Sequence, residues 1–206
     1  MKELNLEPDK HTHTSEVPMV LKHGQDVYSP TNFRIRAEWV DKTSKFQDWL
    51  GGPDESRILC IQGHGIIETT SPMSLLISLL YVKLEQAPRT LVLPFFCGIS
   101  KASYGPKSML RALLAQLLDL CNTHGYTGKG GLPILSFLGH EERAQLKEQD
   151  CLTYTGVLAL LLQELRKEYS AIFILIDGVD FYDSEFEEDI DDFVEGMRQL
   201  VERLNK

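Results

Sequence analysis

One segment restricts the fold more than any other: the continuous apolar run from Ala171 to Ile176, which ends at Asp177. A strand with one solvated face alternates apolar and polar residues, whereas this run is apolar throughout. The pattern predicts a strand that is buried on both faces, as in a parallel sheet covered by helices. An acid directly after such a strand lies at its carboxyl end, which is where open α/β sheets bind their ligands.

The remainder of the chain alternates strand-like and helix-like segments. A second apolar strand is predicted over Leu91 to Cys97. Short strands separated by helices of 12 to 18 residues favour right-handed βαβ units. We therefore expect an α/β fold with three αβα layers and a mostly parallel sheet. Apolar spacing and capping signals predict helices over 33–50, 72–84, 107–120 and 152–169, and a last helix that begins with a capping box of Ser184 and Glu187.

A further strand is predicted from Ile58 to Gln62, with Cys60 buried inside it. A glycine-bearing turn follows, and Ser71 and Pro72 then begin a helix as N-cap and first residue. Strand, glycine turn and helix together are the frame of a phosphate-binding loop, whose pattern is G-x-x-x-x-G-K-[ST]. The segment therefore has the frame of a nucleotide-binding site.

Most of the phosphate-binding chemistry is missing from this segment. Aligned from Gly63, the chain has Glu68 in place of the second glycine and Thr69 in place of the lysine, and only Thr70 keeps the hydroxyl that meets magnesium. Glu68 would bring a negative charge close to a bound triphosphate. Like charges at contact distance repel by roughly 1 kcal/mol in water and by more in a desolvated cleft. We therefore expect ordinary ATP binding to be weak or absent. The candidate site consists of Gly63, His64, Gly65, Glu68, Thr69 and Thr70 for a cofactor, and of Thr70, Asp177 and Asp180 for a metal ion.

Several short motifs in this order resemble the NTPase core of the NACHT/STAND family, in the nephrocystin-like form that is abundant in filamentous fungi. The similarity spans roughly residues 34 to 185. The resemblance implies a P-loop NTPase-like domain in which Asp177 holds magnesium. The resemblance rests on five segments. Lys45–Leu50 is similar to an F-x-x-W-L lead-in, and Ile61–Gly63 is similar to the start of the phosphate loop. Leu93–Cys97 and Ser108–Leu118 resemble a core strand and a leucine-rich helix, and Ile176–Asp180 resembles a D-G-L-D-E box.

The departures from this family pattern are as informative as the matches. Phe181 stands where the family has the acid that activates water, so no catalytic residue is assigned, although Asp183 lies near. The sensor strand, helical lid and winged-helix modules find no counterpart. We expect residues 1–30 to be a flexible arm, with a short extended piece at Val17–Leu21, and residues 31–206 to be a truncated P-loop NTPase-like domain.

Composition narrows the class of partner. The 206 residues carry a net charge of −9, which disfavours nucleic acid and anionic membranes. No apolar leader or membrane-length apolar run is present, and the four cysteines are widely spaced, so we expect a cytoplasmic protein in a reducing compartment.

Three hypotheses about function follow. The first is a non-catalytic or weakly nucleotide-binding protein, without a cofactor, that acts through protein partners in signalling or in incompatibility-type or immune-type regulation. The second is an atypical NTPase that uses magnesium with ATP or GTP, in which Lys101, Lys107 or Lys129 replaces the lost lysine. The third is a descendant that keeps only the fold. The oligomeric state stays open.

Overall fold

The computed structural model describes residues 16–27, 38–52, 55–61, 70–99, 105–123, 150–182 and 186–206. A parallel pair of strands lies at its centre, and helices lie before, between and after the two strands. In chain order the elements are α1 (Glu16–Val27), α2 (Ser44–Gly51), α3 (Pro72–Glu85), β1 (Thr90–Phe96), α4 (Gly105–Thr123), α5 (Cys151–Leu165), β2 (Ala171–Asp177), a 3-10 helix (Val179–Tyr182) and α6 (Glu187–Leu204).

Strands β1 and β2 form a parallel ladder in continuous register, from Thr90 opposite Ala171 to Phe96 opposite Asp177. Both strand predictions are confirmed, and so is the α/β class. Strand β1 is buried from Leu91 to its end, whereas the first four residues of β2 are only half-buried. The ladder brings the carboxyl ends of both strands, and therefore Asp177, to one edge of the sheet.

Side chains that alternate along β1 divide the core into two clusters, one on each face of the sheet. Leu93 and Phe95 belong to the first cluster, which α4, α5 and α6 complete. Val92 and Phe96 belong to the second cluster, to which α1 and α3 contribute. Helices therefore cover both faces of the strand pair, as the continuous apolar runs predict.

The predicted N-cap of α3 is confirmed, and α5 has an N-cap of the same kind. The Ser71 hydroxyl accepts hydrogen bonds from the N–H groups of Met73 and Ser74, and Pro72 occupies the first helical position of α3. Asp150 caps α5 in the same way through the N–H of Thr153. These caps satisfy N–H groups that have no partner inside the helix.

The strand predicted from Ile58 to Gln62 is wrong over residues 58–61, and Gln62 lies outside the described residues. Residues 58–61 are in no strand, Ile58 is 56 % exposed, and Cys60 is exposed rather than buried. Strand preference reflects packing against neighbours more than it reflects the backbone itself. In the described part of the chain, only β1 and β2 pair with each other, so this apolar run has no ladder to join.

Three local predictions are also corrected. The extended piece expected at Val17–Leu21 lies in helix α1, because Val17 and Val20 are buried on one helical face. The helix expected over 33–50 is interrupted in its described part, because residues 38–41 are helical and α2 begins again at Ser44 after the N-cap Thr43. Helix α6 begins at Glu187 with Phe186 as its N-cap, so the Ser184 capping box is wrong. The division at residue 30 stays a prediction.

Gly196 permits the close packing of α6 on α5. A Cβ atom at Gly196 would lie 2.5 Å from the Oγ1 of Thr155, which is buried and bonded to the backbone of its own helix. We expect Gly196→Ala to lower the free energy of unfolding by roughly 1–3 kcal/mol through overpacking. Gly51→Ala is the matched control, because a Cβ atom there meets nothing within 4 Å. Urea unfolding of both variants checks this, and equal effects would contradict it.

Candidate functional site

A buried hydrogen bond at the carboxyl end of the sheet forms the centre of the candidate site. Asp177 is the last residue of β2, and Ser74 lies in the first turn of α3. The Ser74 Oγ donates to the Asp177 Oδ2 at 2.5 Å. Ser74 is 1 % exposed and Asp177 is 7 % exposed, so both polar groups are removed from water. The bond joins the helix that follows the glycine turn to the second strand.

The start of α3 fixes Ser74 in place. The Ser74 hydroxyl accepts a hydrogen bond from the backbone N–H of Ser71 at 2.8 Å, and the Ser71 hydroxyl accepts one from the N–H of Ser74. The same hydroxyl therefore accepts at the helix cap and donates to the carboxylate. A hydroxyl can do both at once, because it has one proton and two lone pairs.

Burial controls the charge of Asp177. Desolvation raises the pKa of this carboxyl from 3.8 to about 6, the Ser74 hydrogen bond lowers the pKa in part, and the negative charge of Asp180 raises it. Asp180 is exposed on the 3-10 helix that follows β2. In the described part of the chain, Asp177 forms no ion pair with a basic side chain. Near pH 6 the site therefore changes between a neutral and an anionic carboxyl.

The turn after Asp177 is sterically restricted. Gly178 has φ of +75°, and a Cβ atom there would lie 2.9 Å from the ring of Phe181. Glycine at this position lets the chain enter the 3-10 helix that brings Phe181 against the turn. The aromatic ring thus lies where the family resemblance expects an acid that activates water.

Cys97 supports the site but is not a nucleophile. Its backbone N–H donates to the carbonyl oxygen of Asp177 at 2.9 Å, which extends the ladder by one residue. Burial raises the pKa of its thiol to about 12, and the thiol hydrogen-bonds with the hydroxyl of Tyr182. A thiol with so high a pKa carries almost no thiolate at neutral pH.

The hydroxyl next to the acid was missed by sequence reasoning. Motif alignment favoured Thr70, which is buried just before α3 and whose role stays a prediction, whereas the hydroxyl that donates to Asp177 is that of Ser74. A signal was present, since the helix start at Ser71 and Pro72 places a second serine in the first turn. The residue before Ser74 is Met73, so this register also lacks the lysine that precedes the hydroxyl in a phosphate-binding loop.

The other predicted site residues are only partly covered by the structure. Lys107, one of the three lysines considered as replacements, forms an ion pair with Asp189 of α6 at 2.7 Å. The remaining two, and most of the predicted cofactor-binding set, lie outside the described residues: Lys101 and Lys129, and Gly63, His64, Gly65, Glu68 and Thr69.

A magnesium ion would find two oxygen ligands here. Magnesium is commonly held in P-loop NTPases by a loop hydroxyl and a strand-end acid, which are the groups that Ser74 and Asp177 supply. These two groups already bond each other, so binding would have to open that bond. In the described ranges no cluster of three or more His, Cys, Asp or Glu side chains could hold a metal ion.

Comparison with known proteins establishes the family. The model of the family described as "Nephrocystin 3, N-terminal" matches residues 36–206, and the chain belongs to this family. The nephrocystin-like resemblance is thereby confirmed. No curated protein and no solved structure matches the chain. None of the described helices combines the length and the apolar character that crossing a membrane requires.

The raised pKa of Asp177 predicts a specific pH dependence. The folded protein holds this proton more tightly than the unfolded chain, so stability is lost as pH rises from about 4 to about 6 and is constant above. Between about pH 4.5 and pH 7.5 we expect the wild type to lose about 2 kcal/mol relative to Asp177→Asn, which cannot ionise. Urea unfolding at several pH values measures this, and parallel curves would contradict a raised pKa.

The Ser74 hydrogen bond should stabilise the charged carboxyl most. We expect Ser74→Ala to cost roughly 1.5–3 kcal/mol at about pH 8, where the acceptor is ionised, and less at about pH 5. Ser78→Ala is the matched control, because the hydroxyl of Ser78 is equally buried but bonds only the Ser74 carbonyl within α3. Its cost should be small and independent of pH. If Ser74→Ala lowers the free energy of unfolding by the same amount at both pH values, the hydrogen bond does not stabilise the ionised form of Asp177.

Proposed function

We propose that this chain is a non-catalytic or weakly nucleotide-binding member of its family, of the NACHT/STAND type, that acts through protein–protein interaction. The observation that carries the proposal is the closed Ser74–Asp177 pair. The acid that would hold magnesium is buried, and a helix hydroxyl already bonds it.

Charge supports the same conclusion. A triphosphate needs positive groups around it, and in P-loops these are a lysine, a helix N-terminus and magnesium. Met73 precedes the site hydroxyl, and Lys107 is engaged by Asp189. Asp180 adds a second negative charge that acts on Asp177. The described site would therefore repel rather than attract a nucleotide.

Hydrolysis is disfavoured for a separate reason. The family box has an acid after Asp180, whereas this chain has Phe181 packed against the turn at Gly178. An aromatic ring has no group that can accept a proton from water. Even if a nucleotide bound, the described residues supply no general base in that position.

A second candidate function is magnesium-dependent nucleotide binding. It is supported by one observation, the contact between a hydroxyl at a helix start and an acid at a strand end, which are the two groups that share magnesium in P-loop NTPases. This function requires the Ser74–Asp177 bond to open and a cation to come from elsewhere in the chain.

Calorimetric titration of the whole chain with ATP, ADP and GTP, with and without magnesium, separates the two candidates. We expect no saturable heat, or a Kd weaker than about 1 mM, because the site lacks cations. Micromolar binding that requires magnesium, and turnover that Asp177→Ala abolishes, would overturn the proposal.

Asp180→Asn is the control for that titration. Asp180 is exposed beside the site and influences Asp177 only through its charge. If weak heat is observed and both Asp177→Asn and Asp180→Asn change it equally, the heat reflects nonspecific charge effects. A loss confined to Asp177→Asn would assign it to the buried pair and support the second candidate.

A further inference from the structure

The side chain of Asn205 holds a segment that is distant in the sequence. Asn205 is the C-cap residue of α6, and its side chain forms two hydrogen bonds with the backbone of Ser56. The Ser56 N–H donates to the Asn205 Oδ1 at 2.7 Å, and the Asn205 Nδ2 donates to the Ser56 carbonyl oxygen at 3.0 Å. An amide side chain carries both a donor and an acceptor, so it can pair with both backbone groups of one residue. These two hydrogen bonds are called the Asn205 clamp below.

The end of α6 is itself joined to α5. The guanidinium of Arg166, the C-cap of α5, donates to the carbonyl oxygen of Leu204. The side-chain amide of Gln163 donates to the carbonyl oxygen of Arg203 at 3.2 Å. Both bonds satisfy carbonyl groups that have no partner inside α6, and Arg166 adds a positive charge at the negative end of the helix. The clamp is therefore carried by a helix end that two side chains of α5 hold in place.

A second contact fastens the residue next to Ser56. The Nη1 of Arg57 donates to the carbonyl oxygen of Asp48, in α2, at 3.3 Å. Its guanidinium also pairs with the carboxylate of Glu55 at 3.5 Å. Basic side chains commonly bond the last carbonyl groups of a helix in this way. Residues 55–57 are thus joined to the ends of two helices, α2 and α6.

Residues 58–61 have no comparable attachment. They form no hydrogen bond and no ion pair with another described residue, and none of them belongs to either core cluster. Ile58 is 56 % exposed, and Cys60 and Ile61 are exposed as well. The chain then continues into the predicted cofactor-binding residues, which begin at Gly63. The Asn205 clamp therefore lies where a fastened stretch of the chain is followed by one that is not fastened.

We propose that the Asn205 clamp is a releasable joint: when its two hydrogen bonds open, residues 55–61 separate from α6 while the strands and the core stay folded. The net stabilisation by a neutral hydrogen bond at the surface is small, because water can replace either partner. Segments with few buried apolar contacts and exposed hydrogen bonds open locally, at a lower free energy than the whole domain. Release would free the chain that leads to Gly63.

The inference goes beyond the proposed function, because it concerns how one segment is held and not what the chain binds. Nucleotide titration does not measure the clamp, and exchange at Ser56 does not measure nucleotide binding. The two proposals can therefore fail separately.

Hydrogen exchange of the whole wild-type chain in low concentrations of urea tests the joint without a substitution. An amide that exchanges by local opening keeps a nearly constant rate, whereas one that requires global unfolding exchanges faster as urea is added. We expect the first behaviour for Ser56 and the second for Leu93 and Phe95, which are buried in β1. The same urea dependence at all three amides would overturn the proposal. An unprotected Ser56 amide would overturn it too, because the clamp would then not be formed.

Two substitutions separate the clamp from the residue that it holds. Asn205→Ala removes both hydrogen bonds, and Ser56→Ala is the matched control, because the clamp uses only the backbone of Ser56. We expect Asn205→Ala to lower the protection of the amide at position 56 at least about tenfold and Ser56→Ala to change it little. Leu93 and Phe95 should keep their protection in both variants. Equal protection at position 56 in both variants, or an equal loss in β1, would contradict a local joint.

A spin label on the exposed thiol of Cys60 shows whether the whole segment is released. The other described cysteines are buried, and Cys121→Ser in every sample restricts labelling to Cys60. We expect a more mobile label with Asn205→Ala than with the wild type or Ser56→Ala. Asn205→Asp keeps the acceptor for the Ser56 N–H but loses the donor, so its label should be intermediate.

A label whose mobility is the same with and without Asn205→Ala would overturn the proposal, because the segment would then be held by other contacts. If Asn205→Ala does not fold, the urea series on the wild-type chain and the Asn205→Asp label decide the question.

Discussion

The parallel ladder between β1 and β2 is the constraint on which the other features of this domain depend. Because the two strands run in the same direction, their carboxyl ends coincide, and Asp177 comes next to Cys97. The ladder also separates the two core clusters, since alternate side chains of β1 enter opposite layers. A change of one residue in register would exchange the faces and move the acid away from Ser74.

Asp177 shows why this site differs from an ordinary strand end. Burial of a carboxyl without a cation is unfavourable, and the single charge-assisted hydrogen bond from Ser74 offsets only part of the cost. A structural acid gains nothing from this position that an asparagine would not also provide. The buried acid is therefore a costly feature, and carboxyls with strongly shifted pKa values cluster at functional sites.

The sequence predicts the centre of the fold better than its margins. The runs at Leu91–Cys97 and Ala171–Ile176 are apolar at every position, which favours strands buried on both faces. Ile58–Ile61 has the same composition, but its state depends on whether a neighbouring strand is available, which composition does not encode. Helix α1 was not predicted, because Val17 and Val20 indicate a buried helical face only when the core that they contact is known.

The candidate site shows a second limit on what can be predicted from the sequence. The acid was predicted at Asp177 because a strand end is visible in the sequence, whereas the hydroxyl was placed at Thr70 by counting along a motif. Counting along a motif does not use the helix start, which places a second hydroxyl, that of Ser74, next to the acid. The N-cap at Ser71 fixes that start and therefore selects Ser74.

The helices have to supply most of the stability of this strand pair. An isolated two-stranded pair is marginal in stability, and parallel strands are normally enclosed on both faces. Here α4, α5 and α6 complete the core on one face, and α1 and α3 contribute to the core on the other. At the β1 edge, Pro94 has no N–H to offer to a further strand, and its carbonyl oxygen accepts a hydrogen bond from the side-chain amide of Gln116 on α4. The same helices that bury the ladder therefore also hold Asp177 and Ser74 together, since Ser74 lies in α3 and Asp177 ends β2.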